Sequence, residues 1–203
     1  SNFLSRPAMG KWLERVVFSS PFMGQPNPLP FATNDYPSRQ LALSEDNFLD
    51  AVQASCSIPF VLEAVKAIAG APAGAYWDGG ITDYHLHLND LPPRSEGPGQ
   101  GGLVLYPHFQ PNVVPGWLDK ALRWRHGVSP FLDRVLLLAP SPEWVARLPN
   151  AKLPDRTDFV RYAQDFNERV RVWKAATSAA QQLADEFAAW LAKPDSLQVE
   201  PLP

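Results

Sequence analysis

The sequence predicts an α/β fold in which a sheet is flanked by helices. Two short apolar runs, residues 103–106 and 134–138, are rich in Leu and Val and are typical of strands in a parallel sheet with both faces covered. The C-terminal third instead places large apolar residues three or four positions apart, which is the period of an amphipathic helix. A chain that mixes these two patterns favours helices packed on a sheet over a helical bundle.

The first elements follow from local chemistry. The β-branched and aromatic run at 16–18 predicts a strand, and the proline-rich segment 21–37 after it predicts a long loop, because proline removes a backbone donor. Ser44 is a suitable helix N-cap ahead of two acidic residues. The apolar stripe that follows predicts a helix ending near Ser55.

The middle of the chain alternates turns with short strands. Pro59 ends the helical pattern, and the Gly/Pro/Ala segment 70–74 predicts a turn into a short strand ending at Trp77 or Asp78. Residues 94–102 are rich in glycine and proline and predict a flexible surface loop before the apolar run at 103–106.

The C-terminal third predicts one long amphipathic helix over 155–193. Asp155 follows a proline and is a suitable cap, and Lys193 precedes a proline that would stop the helix. We expect a single domain over 1–203, with a first segment at 1–90, strands and proline-rich loops at 91–150, and the long helix last.

Composition excludes several classes of protein. Eighteen basic and 21 acidic residues give a net charge of -3, too near balance for binding to a nucleic-acid backbone. The single cysteine, Cys56, excludes an internal disulfide framework and a cysteine-rich zinc site. No apolar run approaches the roughly 20 residues of a membrane-spanning helix. The cytoplasm is therefore the default expectation, with peripheral membrane contact left open.

Two short motifs carry the chemistry. The segment at 54–59 reads Ala-Ser-Cys-Ser-Ile-Pro, and the segment at 77–80 reads Trp-Asp-Gly-Gly. A carboxylate at a strand end, followed by two glycines, can be held at a cleft with backbone close behind it. Such a carboxylate can orient and deprotonate a serine hydroxyl directly.

This pair of motifs resembles the patatin-like acyl hydrolases, over roughly residues 41–88. The resemblance implies a three-layer sandwich and a serine-aspartate dyad that cleaves lipid acyl esters, without metal or organic cofactor. It assigns the general base to Asp78 and the support of the catalytic turn to Gly79 and Gly80. The nucleophile in that family lies upstream of the aspartate.

The chain lacks the nucleophile that the resemblance requires. No Gly-x-Ser-x-Gly elbow occurs, and Ser19, Ser20, Ser55 and Ser57 lie outside any such turn, so that capping and packing roles are expected for them. The first residues contain neither an initiating methionine nor an apolar leader. We therefore expect the C-terminal part of a patatin-like protein, inactive alone, whose partners are a lipid substrate, the missing N-terminal segment and, through the exposed surface, a second copy.

Two alternatives remain at this stage. Asp83, His85 and His87 would project from one face of a strand and could bind a divalent metal for hydrolysis. The long helix carries Arg161, Arg169, Arg171 and Lys174, which could contact anionic lipid headgroups or a protein, as in a non-catalytic interaction module. The first alternative predicts sensitivity to chelators, whereas the serine-aspartate dyad predicts indifference.

Overall fold

The computed structural model describes residues 2–3, 5–22, 25–26, 28–90, 102–193, 195 and 198–202. It is a mixed α/β structure, as predicted, and it divides into two compact units. The first unit comprises Ser1–Val104 and Asn112–Leu136, and the second comprises Leu105–Pro111 and Leu137–Pro203. Apart from Gly102, the predicted Gly/Pro loop at 94–102 lies outside the described residues.

Strands in the described residues are short and associate in pairs. They are β1 Arg15–Ser19, β2 Pro21–Phe22, β3 Gln25–Pro26, β4 Phe31–Ala32, β5 Ser38–Ala42, β6 Val65–Lys66, β7 Ala75–Tyr76, β8 Asn89–Asp90, β9 Val104–Pro107 and β10 Val135–Leu138. The pairs are β1 with β5, β2 with β3, β4 with β8, β6 with β7 and β9 with β10. The continuous sheet of a three-layer sandwich is therefore not present among these residues.

The longest pair is parallel and confirms the strand predicted at 16–18. β1 and β5 run side by side from Arg15 opposite Ser38 to Ser19 opposite Ala42. Between them, the predicted proline-rich loop contains the antiparallel pair of β2 and β3, and also β4. Arg15 is the one buried residue of β1, and the rest of both strands is half-buried or exposed.

The helix predicted from Ser44 begins later, as α1 Phe48–Ser55. The Ser44 amide donates to Oδ1 of Asn47 at 2.8 Å, and the Ser44 carbonyl accepts from the amides of Asn47 and Phe48. These bonds form a turn over residues 45–47, and the regular helix follows from Phe48. The core of the first unit joins Ala54 of α1 to Val65 of β6 and Ile68, with Phe18, Ala71 and Tyr76 packed around them.

The strands predicted at 103–106 and 134–138 are confirmed as β9 and β10. The amide of Val104 donates to the carbonyl of Arg134, and that of His108 donates to the carbonyl of Leu138, each at 2.8 Å. From the first hydrogen bond to the second, both the donor and the acceptor move four residues forward along the chain, so the two strands run in the same direction, as in a parallel ladder. The expectation of full burial was wrong, because every residue of β10 is half-buried and β9 alternates between half-buried and exposed.

The prediction of one continuous helix over 155–193 was wrong. The segment forms α4 Thr157–Tyr162, α5 Phe166–Ala179 and α6 Gln181–Ala192. Ala163 leaves the helical region with φ 30° and ψ -93°, and Asp165 then caps α5 by accepting the amide of Glu168 at 3.0 Å. The spacing of apolar residues is the same whether or not a helix is interrupted. The periodicity therefore indicates which residues face inward, but it does not show that the helix is continuous.

The second unit is held by a small core and one buried carboxylate. Trp144, Leu148 and Ala176 form the core, where Trp144 and Leu148 come from α3 Pro142–Ala146 and the turn after it. Asp158 is 1 % exposed, accepts from Nε1 of Trp173 at 3.0 Å, and pairs with Nζ of Lys152 at 2.9 Å. This carboxylate ties α4 to α5 across the break. No helix among the described residues has the length and apolar character needed to span a bilayer.

Ala163→Gly should stabilise the protein, because glycine adopts positive φ without the steric cost that alanine meets there. We expect a gain of about 1 kcal/mol in the free energy of unfolding, measured by urea denaturation. Ala175→Gly, in the exposed interior of α5, is the matched control and should lose about 1 kcal/mol. Equal losses for both variants would show that Ala163 is not strained.

Candidate active site

The two motifs of the predicted site are in contact. The amide of Asp78 donates to the carbonyl of Ser57 at 3.0 Å, which joins the end of α1 to the turn after β7. Ser57 is 2 % exposed, and its hydroxyl donates to the carbonyl of Gln53 at 2.8 Å. Ser57 therefore has the packing role expected of it, and its carbonyl positions the aspartate.

Asp78 begins the turn that leads into α2 Gly80–Asp83. Oδ1 of Asp78 accepts the amide of Gly80 at 2.7 Å, and the Asp78 carbonyl accepts the amide of Ile81 at 3.2 Å. Asp78 itself is half-buried. Among the described residues, the hydrogen bonds of its carboxylate are confined to the Gly80 contact. One carboxylate oxygen is thus fixed, and the other is available for a further partner.

The two glycines of the motif have different roles. A Cβ on Gly80 would lie 2.9 Å from Oδ1 of Asp78 and 3.5 Å from the ring of Tyr84, so the close approach of the carboxylate requires glycine. A Cβ on Gly79 would meet nothing within 4 Å, and the backbone there is right-handed helical. Gly80 fits the supporting role that the resemblance implies, whereas the packing around Gly79 does not require a glycine.

The turn lies between two cavities of the first unit. Asp78 lines a cavity of about 370 Å³ together with Trp12, Arg15 and Pro72. Trp77, Gly79 and Gly80 line a neighbouring cavity of about 490 Å³, whose other walls are mainly the apolar side chains of β1, α1, Leu86 and Leu88. The residues on either side of Asp78 therefore line a volume that an apolar group can fill, whereas Asp78 itself lines the smaller cavity.

A buried arginine holds α2 from one side. Arg15 is 8 % exposed and donates from Nε and Nη2 to the two oxygens of Asp83, at 2.8 and 2.7 Å. Its Nη1 and Nη2 also donate to Asp35, at 2.6 and 2.8 Å. The guanidinium lies 5.2 Å from the ring centre of Tyr36. One side chain thus joins β1, the loop before β5 and the helix that follows the Asp78 turn.

These ion pairs set the protonation of their members. Burial acts to raise the pKa of Asp35, but the hydrogen bonds and charge of Arg15 outweigh it and hold that pKa below its usual value. Burial likewise opposes the charge of Arg15, and the two carboxylates outweigh it and raise the pKa of the guanidinium. Arg15 and Asp35 are therefore both ionised at neutral pH.

A second buried network holds α2 from the other side. Asp119 is fully buried and pairs with Arg6 and with Arg125, whose Nη1 lies 2.9 Å from Oδ1. Nη2 of Arg6 donates to the carbonyl of Thr82, within α2, at 2.7 Å. Burial tends to raise the pKa of Asp119, but the hydrogen bond from Asn2 and the charge of Arg6 lower it overall.

The metal alternative rested on a strand that the structure does not contain. Asp83 ends the short helix α2, so Asp83, His85 and His87 do not alternate along one strand face. Asp83 is paired with Arg15, Nδ1 of His85 accepts the amide of Val114 at 2.9 Å, and Nε2 of His87 lies 2.7 Å from Oγ of Ser129. Among the described residues, no three His, Cys, Asp or Glu side chains are grouped as metal ligands.

The proposed cationic face of the C-terminal helix is also divided. Arg171 pairs with Glu168 at 2.6 Å, and Arg169 lies over the ring of Phe159, 4.4 Å from its centre. Lys174 is on α5 as well, whereas Arg161 belongs to α4. Because the helix is broken at Ala163, these four cations do not lie along one continuous helix.

Arg15 and Asp119 are the residues of the site region that sequence reasoning missed. Arg15 carried a weak signal, since it is a charge at the start of an otherwise apolar strand. Asp119 carried no signal of its ion pair with Arg6, because the two residues are 113 positions apart in the chain. Comparison with protein-family models, with curated proteins and with solved structures gives no match to this chain.

Gly80→Ala should displace the Asp78 carboxylate, because the added methyl group would lie 2.9 Å from Oδ1. We expect a loss of about 1–3 kcal/mol in the free energy of unfolding, as for other overpacked sites. Gly79→Ala is the matched control and should change stability by less than about 0.5 kcal/mol. Urea denaturation measures both, and equal effects would contradict the close approach.

Arg15→Met should destabilise the protein by about 3–5 kcal/mol at neutral pH, because it leaves two part-buried carboxylates without their cation.

The pairing of Asp35 with Arg15 also predicts a pH dependence. Since the folded-state pKa of Asp35 lies below its unfolded value near 3.9, the contribution of Asp35 to the free energy of unfolding is present above that value and is lost as pH falls through the folded pKa. Thermal unfolding followed from roughly pH 7 down to pH 2 should therefore show a loss of stability in the parent protein that begins near pH 4 and continues as the pH falls. The loss should be shallower in Asp35→Asn, and an identical pH profile in the two would contradict the pairing.

Proposed function

We propose that this chain is the C-terminal part of a patatin-like lipid acyl hydrolase, in which Asp78 is the general base for a serine outside this chain. The observation that carries the proposal is the Asp78 turn itself. One oxygen of the carboxylate is held by the Gly80 amide, the backbone is held by Ser57, and an apolar cavity opens beside it.

The chemistry needs only the free carboxylate oxygen. A serine hydroxyl that approaches Asp78 gives its proton to the carboxylate as the serine oxygen attacks the ester carbonyl. The leaving alcohol then takes that proton. Water hydrolyses the acyl-enzyme in a second step with the same aspartate as base. Donors for the oxyanion would come from the segment that carries the serine. No metal or organic cofactor enters either step.

The substrate class follows from the neighbouring cavity. Its volume of about 490 Å³ and its walls of Val16, Phe18, Val52 and Leu86 suit an acyl chain, which is held by burial of apolar surface. An acyl chain lying there would place its ester near Gly79 and Gly80. The proposed substrate is accordingly a lipid or other long-chain acyl ester.

The surface of α1 supports a partner segment. Phe48, Leu49 and Val52 are 48, 76 and 47 % exposed, although they form the apolar stripe of this helix. A neighbouring run is also exposed, with Phe60 at 94 % and Val61 at 73 %. Exposed apolar groups of this extent usually mark an interface. We propose that the serine-bearing segment covers them, and that a second copy can do so when the chain is alone.

Asp78→Asn tests the function in the native-length protein. Asparagine keeps an oxygen that can accept the Gly80 amide, so the turn should persist while the base is lost. Hydrolysis of a long-chain 4-nitrophenyl ester should fall by about 10²-fold or more. Labelling by a fluorophosphonate should fall with it, and neither should respond to a chelator in the parent protein.

Asp133→Asn is the control, since Asp133 is exposed and its replacement removes the same charge without touching the turn. This variant should hydrolyse the ester at the parent rate. Undiminished turnover by Asp78→Asn, or loss of turnover on chelation, would contradict the assignment.

A further inference from the structure

A third cavity of the first unit contains a serine and a histidine in direct contact. It has a volume of about 340 Å³ and is lined by Arg6, His87, Pro115, Trp124, Arg125 and Ser129, with Gly127 and Val128 at its edge. Nε2 of His87 lies 2.7 Å from Oγ of Ser129. This is the distance expected between a nucleophilic hydroxyl and its general base.

The hydrogen bonds around Ser129 orient its proton toward the histidine. The amide of Phe131 donates to Oγ of Ser129 at 3.1 Å, so one lone pair of the oxygen is occupied. The hydroxyl hydrogen can then be donated to Nε2 of His87. The ring of His87 is stacked on Phe131, with ring centres 5.2 Å apart, which fixes its plane beside the serine.

Burial and charge keep His87 in its basic form. Burial, followed by the nearby charge of Arg6, lowers the pKa of His87 below its ordinary value. A neutral imidazole at neutral pH can accept the serine proton, whereas an imidazolium cannot. The amide of Phe131 would remain bonded to the same oxygen as it loses its proton.

The wall of the cavity favours an anionic ligand. Arg6 and Arg125 contribute two positive charges, and both pair with the single carboxylate of Asp119. Both guanidinium groups line the cavity, whereas the carboxylate that pairs with them is fully buried and is not part of its wall. Trp124 is 66 % exposed and offers an aromatic face at the same cavity.

We propose that Ser129 and His87 form a nucleophile-base pair that accepts the acyl group of small esters bearing a carboxylate. Oγ of Ser129 attacks the ester carbonyl, and its proton moves to Nε2 of His87. The bond to the leaving alcohol breaks, and that alcohol takes the proton from His87. Water then releases the acyl group by the same path. This pair is independent of Asp78 and of any segment outside the chain.

The test uses the present chain in a Cys56→Ser background, because Cys56 is an exposed thiol that also reacts with activated esters. The probes are mono-4-nitrophenyl terephthalate, whose para carboxylate cannot reach its own ester, and the neutral 4-nitrophenyl benzoate. Release of 4-nitrophenolate gives the rate, and mass spectrometry of peptides locates the acyl group. We expect the adduct on Ser129, formed several-fold faster from the terephthalate.

Three variants separate chemistry from structure. Ser129→Ala should abolish the adduct. His87→Gln keeps Ser129 as the cap of the short 3₁₀ helix Pro130–Leu132 and should slow formation of the adduct by about 10²-fold. Ser141→Ala is the matched control, because Oγ of Ser141 caps α3 in the same way by accepting the amide of Trp144 at 3.1 Å. It should leave the rate unchanged. In the described residues no histidine is bonded to Ser141.

Each outcome decides the question. Acylation of Ser129 by the terephthalate ester that His87→Gln slows supports the pair. Acylation only of lysines, or equal rates in the parent and His87→Gln, overturns it. This reaction does not use Asp78, so failure here says nothing about the proposed lipid hydrolase, and failure of that proposal does not affect this one.

Discussion

The buried guanidinium of Arg15 is the interaction on which the first unit depends. It forms hydrogen bonds with both oxygens of Asp83 and both oxygens of Asp35, from a side chain that is 6 % exposed. A buried ion pair of this kind contributes little net stability against apolar residues of the same volume, but removal of one partner is costly. Its effect is therefore to fix which elements meet.

The geometry of the candidate active site depends on the buried ion pairs that hold α2. Asp83 of α2 is held by Arg15, and the carbonyl of Thr82 is held by Arg6, which itself pairs with the buried Asp119. The Asp78 turn leads directly into this helix, and Ser57 holds its other end. A short turn is thus anchored at both ends by groups with little exposure. Such support is what a base needs in order to meet a hydroxyl at a fixed distance.

The sheets and the apolar core clusters of the two units are small. The described sheets have two strands each, and the core of each unit is centred on three buried residues, such as Ala54, Val65 and Ile68 in the first unit. Phe48, Leu49 and Phe60 remain exposed close by. Parallel strands such as β1 and β5 are ordinarily covered on both faces. Buried residues such as Val113, Val114 and Leu132 also contribute to the first unit, and an apolar surface close to the site remains exposed.

Local patterns in the sequence determined the α/β class, the strands β1, β9 and β10, and the Asp-Gly-Gly turn, because periodicity, β-branching and glycine act over a few residues. They did not determine whether the helical C-terminal segment was continuous, since Ala163 carries no local signal of its positive φ. Nor did they place Asp83 and His87, whose partners Arg15 and Ser129 are distant in the chain. Only the tertiary structure decides which charged and nucleophilic groups meet, because those contacts depend on how the elements pack.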